Sequence, residues 1–154
     1  MANSKSKFFQ VATEGATVDG RVIDRTWISE MAEQYDPKVY GARINIEHIT
    51  SYSPDSTFKA YGDVTALKAE EVDIGGVKKL TLFAQIDATP ELVAIVKARQ
   101  KVYTSCEVNP KFADTGKAYL TGLAVTDNPA SLGNEMLAFS ASQGDNSPLA
   151  ARKK

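Results

Sequence analysis

Two counts narrow the chemistry open to this sequence: it holds one histidine, His48, and one cysteine, Cys106. An imidazole base working near neutral pH can therefore only be His48. Beside a hydroxyl or thiol such a ring makes a nucleophile, taking the proton while a third group holds the ring in place. The nucleophile candidates stand together in Tyr103-Thr104-Ser105-Cys106-Glu107-Val108. In a strand, alternate side chains face opposite ways. Val102, Cys106 and Val108 then share an apolar face, and Tyr103, Ser105 and Glu107 share the other. Cys106 reads as a small buried residue; Ser105 reads as a nucleophile or as an ordinary exposed strand serine. His48 also has a plain alternative. It shares parity with Ile44 and Ile46, as a histidine packed at the end of an apolar face would. For the orienting acid, Asp19 and Asp24 compete, with Asp63 behind them. Asp19 is equally explained by an Asp-Gly turn and Asp24 by a helix N-cap.

Other chemistries find little support. One His and one Cys cannot build the usual zinc site, and no carboxylate spacing resembles a calcium loop, so no metal is expected. Gly75-Gly76 reads as a hairpin turn, not a phosphate loop, and there is no Gly-x-Ser-x-Gly elbow; no cofactor is expected. The 18 Lys and Arg nearly balance the 19 Asp and Glu, leaving no basic field for a nucleic acid. A lone cysteine excludes an internal disulfide. No signal-peptide core or bilayer-length apolar run is present, which reads as a soluble cytoplasmic protein without a membrane partner.

The elements that must position these residues follow from pattern. The 154 residues suit one domain around one core. Strands are expected at 7–13, 42–49, 58–72, 77–87, 102–108 and 119–126. Asn109-Pro110 and Asp127-Asn128-Pro129 are read as stops. The arms at 58–72 and 77–87 form a hairpin about Asp73, Gly75 and Gly76, with a bulge in the long arm. Helices are expected at 25–34, capped by Asp24, and from Pro90, capped by Thr89. Residues 134–139 form a last element of open type. The domain spans 1–140, and the polar segment 141–154 is expected to be a disordered tail. Six or seven mostly antiparallel strands and two helices point to an α+β fold, a closed or partly closed barrel with flanking helices.

Several stretches, taken in order, resemble a known family. They are Ser6-Lys7-Phe8-Phe9, Asp19-Gly20-Arg21, Tyr40-Gly41-Ala42-Arg43-Ile44-Asn45-Ile46-Glu47-His48, Tyr61-Gly62-Asp63-Val64, Lys101-Val102-Tyr103-Thr104-Ser105 and Pro129-Ala130-Ser131-Leu132-Gly133. The family is the phage capsid scaffolding protein and serine peptidase family of GPO type, itself distantly similar to herpesvirus assemblins. The resemblance implies an assemblin-like barrel with helices and a Ser-His-Asp triad at Ser105, His48 and Asp19. It implies an endopeptidase of prohead maturation, cleaving capsid precursor proteins and itself, in the host cytoplasm inside the assembling prohead. Its partners would be the capsid precursor and the internal scaffold, with a homodimer open. The alternative is a non-catalytic assembly protein that keeps the fold. Family members usually continue into a long helical scaffold, whereas this sequence stops at Lys154. Ala141-Ser142 has the small-residue form of an assemblin-type cut; Ala130-Ser131 has the same letters but is expected to be protected.

Overall fold

The computed structural model describes residues 5–139. Eight strands and two α-helices run in the order β1 (Lys5–Thr13), β2 (Gly15–Ala16), β3 (Val22–Ile23), α1 (Arg25–Gln34), β4 (Arg43–Ile46), β5 (Gly62–Ile74), β6 (Val77–Ala88), α2 (Pro90–Lys97), β7 (Tyr103–Phe112) and β8 (Lys117–Thr126). Six strands form one sheet in the order β1-β6-β5-β4-β8-β7, and β2 pairs with β3 separately. All neighbours are antiparallel except β4 and β8, which run parallel. The architecture is α+β, as expected.

Local chemistry accounts for the main elements. The β5–β6 hairpin turns through Gly75 and Gly76, whose φ angles are 62° and 89°. Two successive left-handed residues are what a tight hairpin turn requires, and glycine adopts them without a Cβ clash. Asp73 Oδ1 accepts from the Gly76 N–H at 2.8 Å. The expected bulge in the long arm lies between Val64 and Ala66. Thr89 caps α2, its hydroxyl accepting from the Leu92 N–H, and Pro90 opens the helix where no backbone donor is needed. Asp24 stands at the α1 N-cap, but its side chain makes no capping bond. Ile28 and Met31 turn the buried side of α1 toward the sheet. Together with Phe9, Ile44, Leu82 and Leu123, all fully buried, they build the core.

The expected barrel, closed or partly closed, is corrected: the sheet stays open. Its edge strands β1 and β7 do not pair with each other. Residues 131–139 run between them without regular secondary structure and bond to both. Glu135 N–H donates to Gln10 O at 3.0 Å, and Leu137 N–H donates to Val102 O at 2.7 Å. Thr13 N–H donates to Ser131 Oγ at 2.8 Å, and Asn134 Nδ2 donates to Thr104 O at 2.6 Å. Covering an edge with an irregular segment satisfies its backbone groups as closure would. Buried Ser131 makes Ala130-Ser131 part of this seam. Ala141-Ser142 and the rest of the tail lie outside the described residues.

Two strand limits also differ from expectation. β4 ends at Ile46, because Glu47 and His48 take left-handed φ angles of 56° and 63°. β7 continues through Asn109-Pro110 to Phe112. As an edge strand it tolerates a proline that could not donate to a second neighbour.

Candidate functional site

The left-handed turn places His48. Non-glycine residues rarely adopt this conformation and need support from their surroundings. Here Asn45 Oδ1 accepts from the His48 N–H at 2.9 Å. The Ile49 N–H donates to Ile46 O at 3.0 Å. Glu47 is pinned from two sides: Thr126 Oγ1 donates to its carboxylate at 2.9 Å, and Lys101 Nζ lies 2.8 Å away. The Lys101 hydrogen bond is the main reason the Glu47 carboxyl titrates below its usual range. As a result His48 leaves the apolar row of Ile44 and Ile46. Its side chain is 43% exposed, which removes the reading of a histidine packed at the end of a buried face.

On β7 the expected parity holds. Asn45 pairs with Ala124 and Ala124 with Ser105, a row across β4, β8 and β7 that occupies one face. Glu107 stands two residues beyond Ser105 on the same face, roughly 7 Å along the strand. Its Oε2 lies 2.6 Å from His48 Nδ1 and accepts from Asn45 Nδ2 at 2.9 Å. The imidazole therefore stands over the face that carries Ser105. Ser105 is buried, so the exposed-serine reading also falls.

Asp19 sits in the β2–β3 hairpin. Arg21 Nε reaches both of its carboxylate oxygens, at 3.2 and 3.0 Å, and the Thr17 hydroxyl donates to it as well. The Arg21 hydrogen bond, followed by that of Thr17, lowers its pKa to about 2. Asp63 pairs with Arg43 at 2.6 Å. Thus the carboxylate that the structure brings to His48 belongs to Glu107. The sequence reading puts Glu107 on the right face of β7 but looks for the acid among the aspartates. The available signal was its shared parity with Ser105.

A cavity of about 470 Å³ opens between the edge strands. Val11 and Ala12 of β1, Cys106 and Val108 of β7, and Trp27 and Met31 of α1 line it, and Ser105 borders it. Arg21 brings the hairpin that carries Asp19 to the same opening. Cys106 Sγ donates to Val11 O at 3.5 Å. Burial, aided by the charge of Glu107, pushes its thiol up to about 12. A thiol in this state holds almost no thiolate at neutral pH. Native protein should therefore alkylate at Cys106 far more slowly than unfolded protein, as iodoacetamide labelling followed by mass spectrometry can measure; equal rates would contradict this burial.

Among the described residues no group of three or more His, Cys, Asp or Glu could hold a metal ion. No helix among them is long and apolar enough to cross a membrane.

Comparison with known proteins bears on the same residues. The chain is 57% identical over 141 residues to the capsid assembly scaffolding protein of Escherichia phage P2. That alignment covers 90% of this chain and 50% of the relative, so the chain spans about half the length of the curated protein it matches. No solved structure matches it, and the expected likeness to assemblins rests on the sequence resemblance. The family described as GPO serine peptidase, N-terminal domain, matches residues 6–142, a stretch that includes Asp19, His48, Ser105 and Glu107. The chain belongs to the GPO serine peptidase family and carries its N-terminal domain.

Proposed function

We propose that the protein is a serine endopeptidase of phage capsid maturation, with Ser105 as nucleophile and His48 as general base. One observation carries the reading: the chain's one imidazole stands over the sheet face that holds Ser105, with Nδ1 bonded to a carboxylate. The other nitrogen, Nε2, is then the one available to the serine. In the proposed reaction Ser105 Oγ attacks the scissile carbonyl as Nε2 takes its proton. The proton passes to the leaving amine, the peptide bond breaks, and an acyl-enzyme remains. Water then repeats the sequence and frees Ser105. For the acid, the family resemblance assigns Asp19, while the hydrogen bond to His48 belongs to Glu107.

The substrates in this reading are capsid precursor proteins, the internal scaffold and the chain itself. The name of the P2 relative supports a role in capsid assembly, and the family name supports peptidase chemistry. The site of action is then the assembling prohead. Self-cleavage gives the test. A chain extended beyond Lys154 should be cut at Ala141-Ser142, and mass spectrometry should find a product ending at Ala141. Cutting by the His48→Ala protein incubated alone, or an extended wild-type chain that stays whole, would defeat the proposal. In the latter case the non-catalytic assembly role would take its place.

A further inference from the structure

We infer that the cavity between β1 and β7 is a specificity pocket that receives a large apolar side chain from the acyl side of the scissile bond, an inference that rests on the peptidase reading above. Position is the first observation. Ser105 borders the cavity, and its strand neighbours Cys106 and Val108 form one wall. A peptide placed for attack by Ser105 therefore passes the opening. Chemistry is the second. Val11 of β1 with Trp27 and Met31 of α1 supply further apolar walls. Arg21 is the one charged residue of the lining, and it pairs with Asp19 at 2.9 Å. An apolar side chain gains by leaving water there, whereas an ionised one would give up its hydration without a free partner.

Size is the third. About 470 Å³ falls within the roughly 300–1,000 Å³ of ligand pockets and is far more than a methyl group fills. Ala141, the small residue before the proposed cut, would leave such a space empty, so a larger neighbour is the occupant. The sequence offers that neighbour on one side only. Leu137 and Phe139 precede Ala141-Ser142, whereas residues 142–147 are all polar or glycine. Phe139 stands two residues before Ala141, roughly 7 Å along an extended chain, which suits a pocket beside Ser105. In the folded chain its ring rests edge-on against Phe9, with centroids 5.8 Å apart. A chain serving as substrate must first release that contact.

Trp27 is the chain's one tryptophan, so its emission reports on the cavity without a label. The test titrates a synthetic peptide of residues 136–146, and its Phe139→Leu, Phe139→Ala and Phe139→Asp forms, into the full-length Ser105→Ala protein. The Phe and Leu forms should move Trp27 emission to shorter wavelength as water leaves the indole. The Ala form should bind on the order of 10- to 100-fold more weakly, the loss expected for one large buried side chain. The Asp form should not bind. In active protein kcat/KM should follow the same order. Ala130→Phe narrows the cavity from a partly exposed lining position and should weaken binding at an unchanged melting temperature. Val108→Phe fills the same space from β7 should the first variant misfold. An emission that no peptide moves, tighter binding of the Asp form, or cleavage indifferent to the residue at 139 would each overturn the assignment. The two levels of the reading fail separately. Binding in the expected order without cleavage by wild-type protein removes the peptidase reading and leaves the pocket. Cleavage of all four peptides at one rate, with Trp27 silent, removes the pocket and leaves the peptidase.

Discussion

Ser105→Ala should leave the protein folded and reduce peptide cleavage by an amount on the order of the 10⁶-fold that loss of a triad nucleophile costs. The fold should survive because the change removes one oxygen from a side chain whose row neighbour on β8 is already an alanine, Ala124. Core contacts on the opposite face, made by Leu123 and Val125, are untouched. A thermal melt near that of wild type, with no product in a peptide assay, is the expected pair of observations. Cys106→Ser is the control. Its thiol points to Val11 on the core side and is held protonated, so replacing it should lower stability somewhat and keep most of the activity. Active Ser105→Ala beside inactive Cys106→Ser would transfer the nucleophile to Cys106.

The face of β7 that matters here was legible because period-two alternation survives any uncertainty about where a strand ends. Cys106 and Val108 mark one side, Ser105 and Glu107 the other, and the structure keeps that division within β7. The α2 start and the β5–β6 turn were legible for a similar reason. Thr89-Pro90 and Gly75-Gly76 carry their backbone preferences in their own covalent structure. Features that depend on distant partners were hidden. His48 reads as the end of a strand, since isoleucines at 44 and 46 favour one. Its left-handed turn is supported by Asn45 from within the segment, and by Lys101 and Thr126 from far along the chain. The open sheet depends on residues 131–139 reaching both β1 and β7, a register that no local pattern encodes. Glu107 was missed as the His48 partner because that contact depends on the parallel β4–β8 pairing. From sequence, β4 and β7 have no known relation.

Gly122→Ala should lower turnover by roughly 10²-fold without lowering stability, the scale on which a displacement near 1 Å at a catalytic group is felt. The expectation follows from what the missing Cβ permits. Gly122 lies directly across from Glu107 in the β7–β8 ladder, and the Glu107 side chain crosses the space above it to reach His48. A methyl group there must push the carboxylate away, because Gly122 is fixed by pairing to Arg43 on its other side. The backbone itself offers no objection, since Gly122 is not among the glycines with positive φ. Replacing such a glycine with alanine removes freedom from the unfolded chain, which by itself stabilises by about 0.4–1 kcal/mol. Activity and stability should therefore move in opposite directions, a signature that general damage to the fold does not give. The effect should also vanish once the carboxylate is gone. In a Glu107→Ala background, which has no side chain to displace, adding Gly122→Ala should cost much less than it does alone, as coupled neighbours require. Fully additive losses in that double-mutant cycle would mean that Gly122 acts through something other than the Glu107–His48 contact.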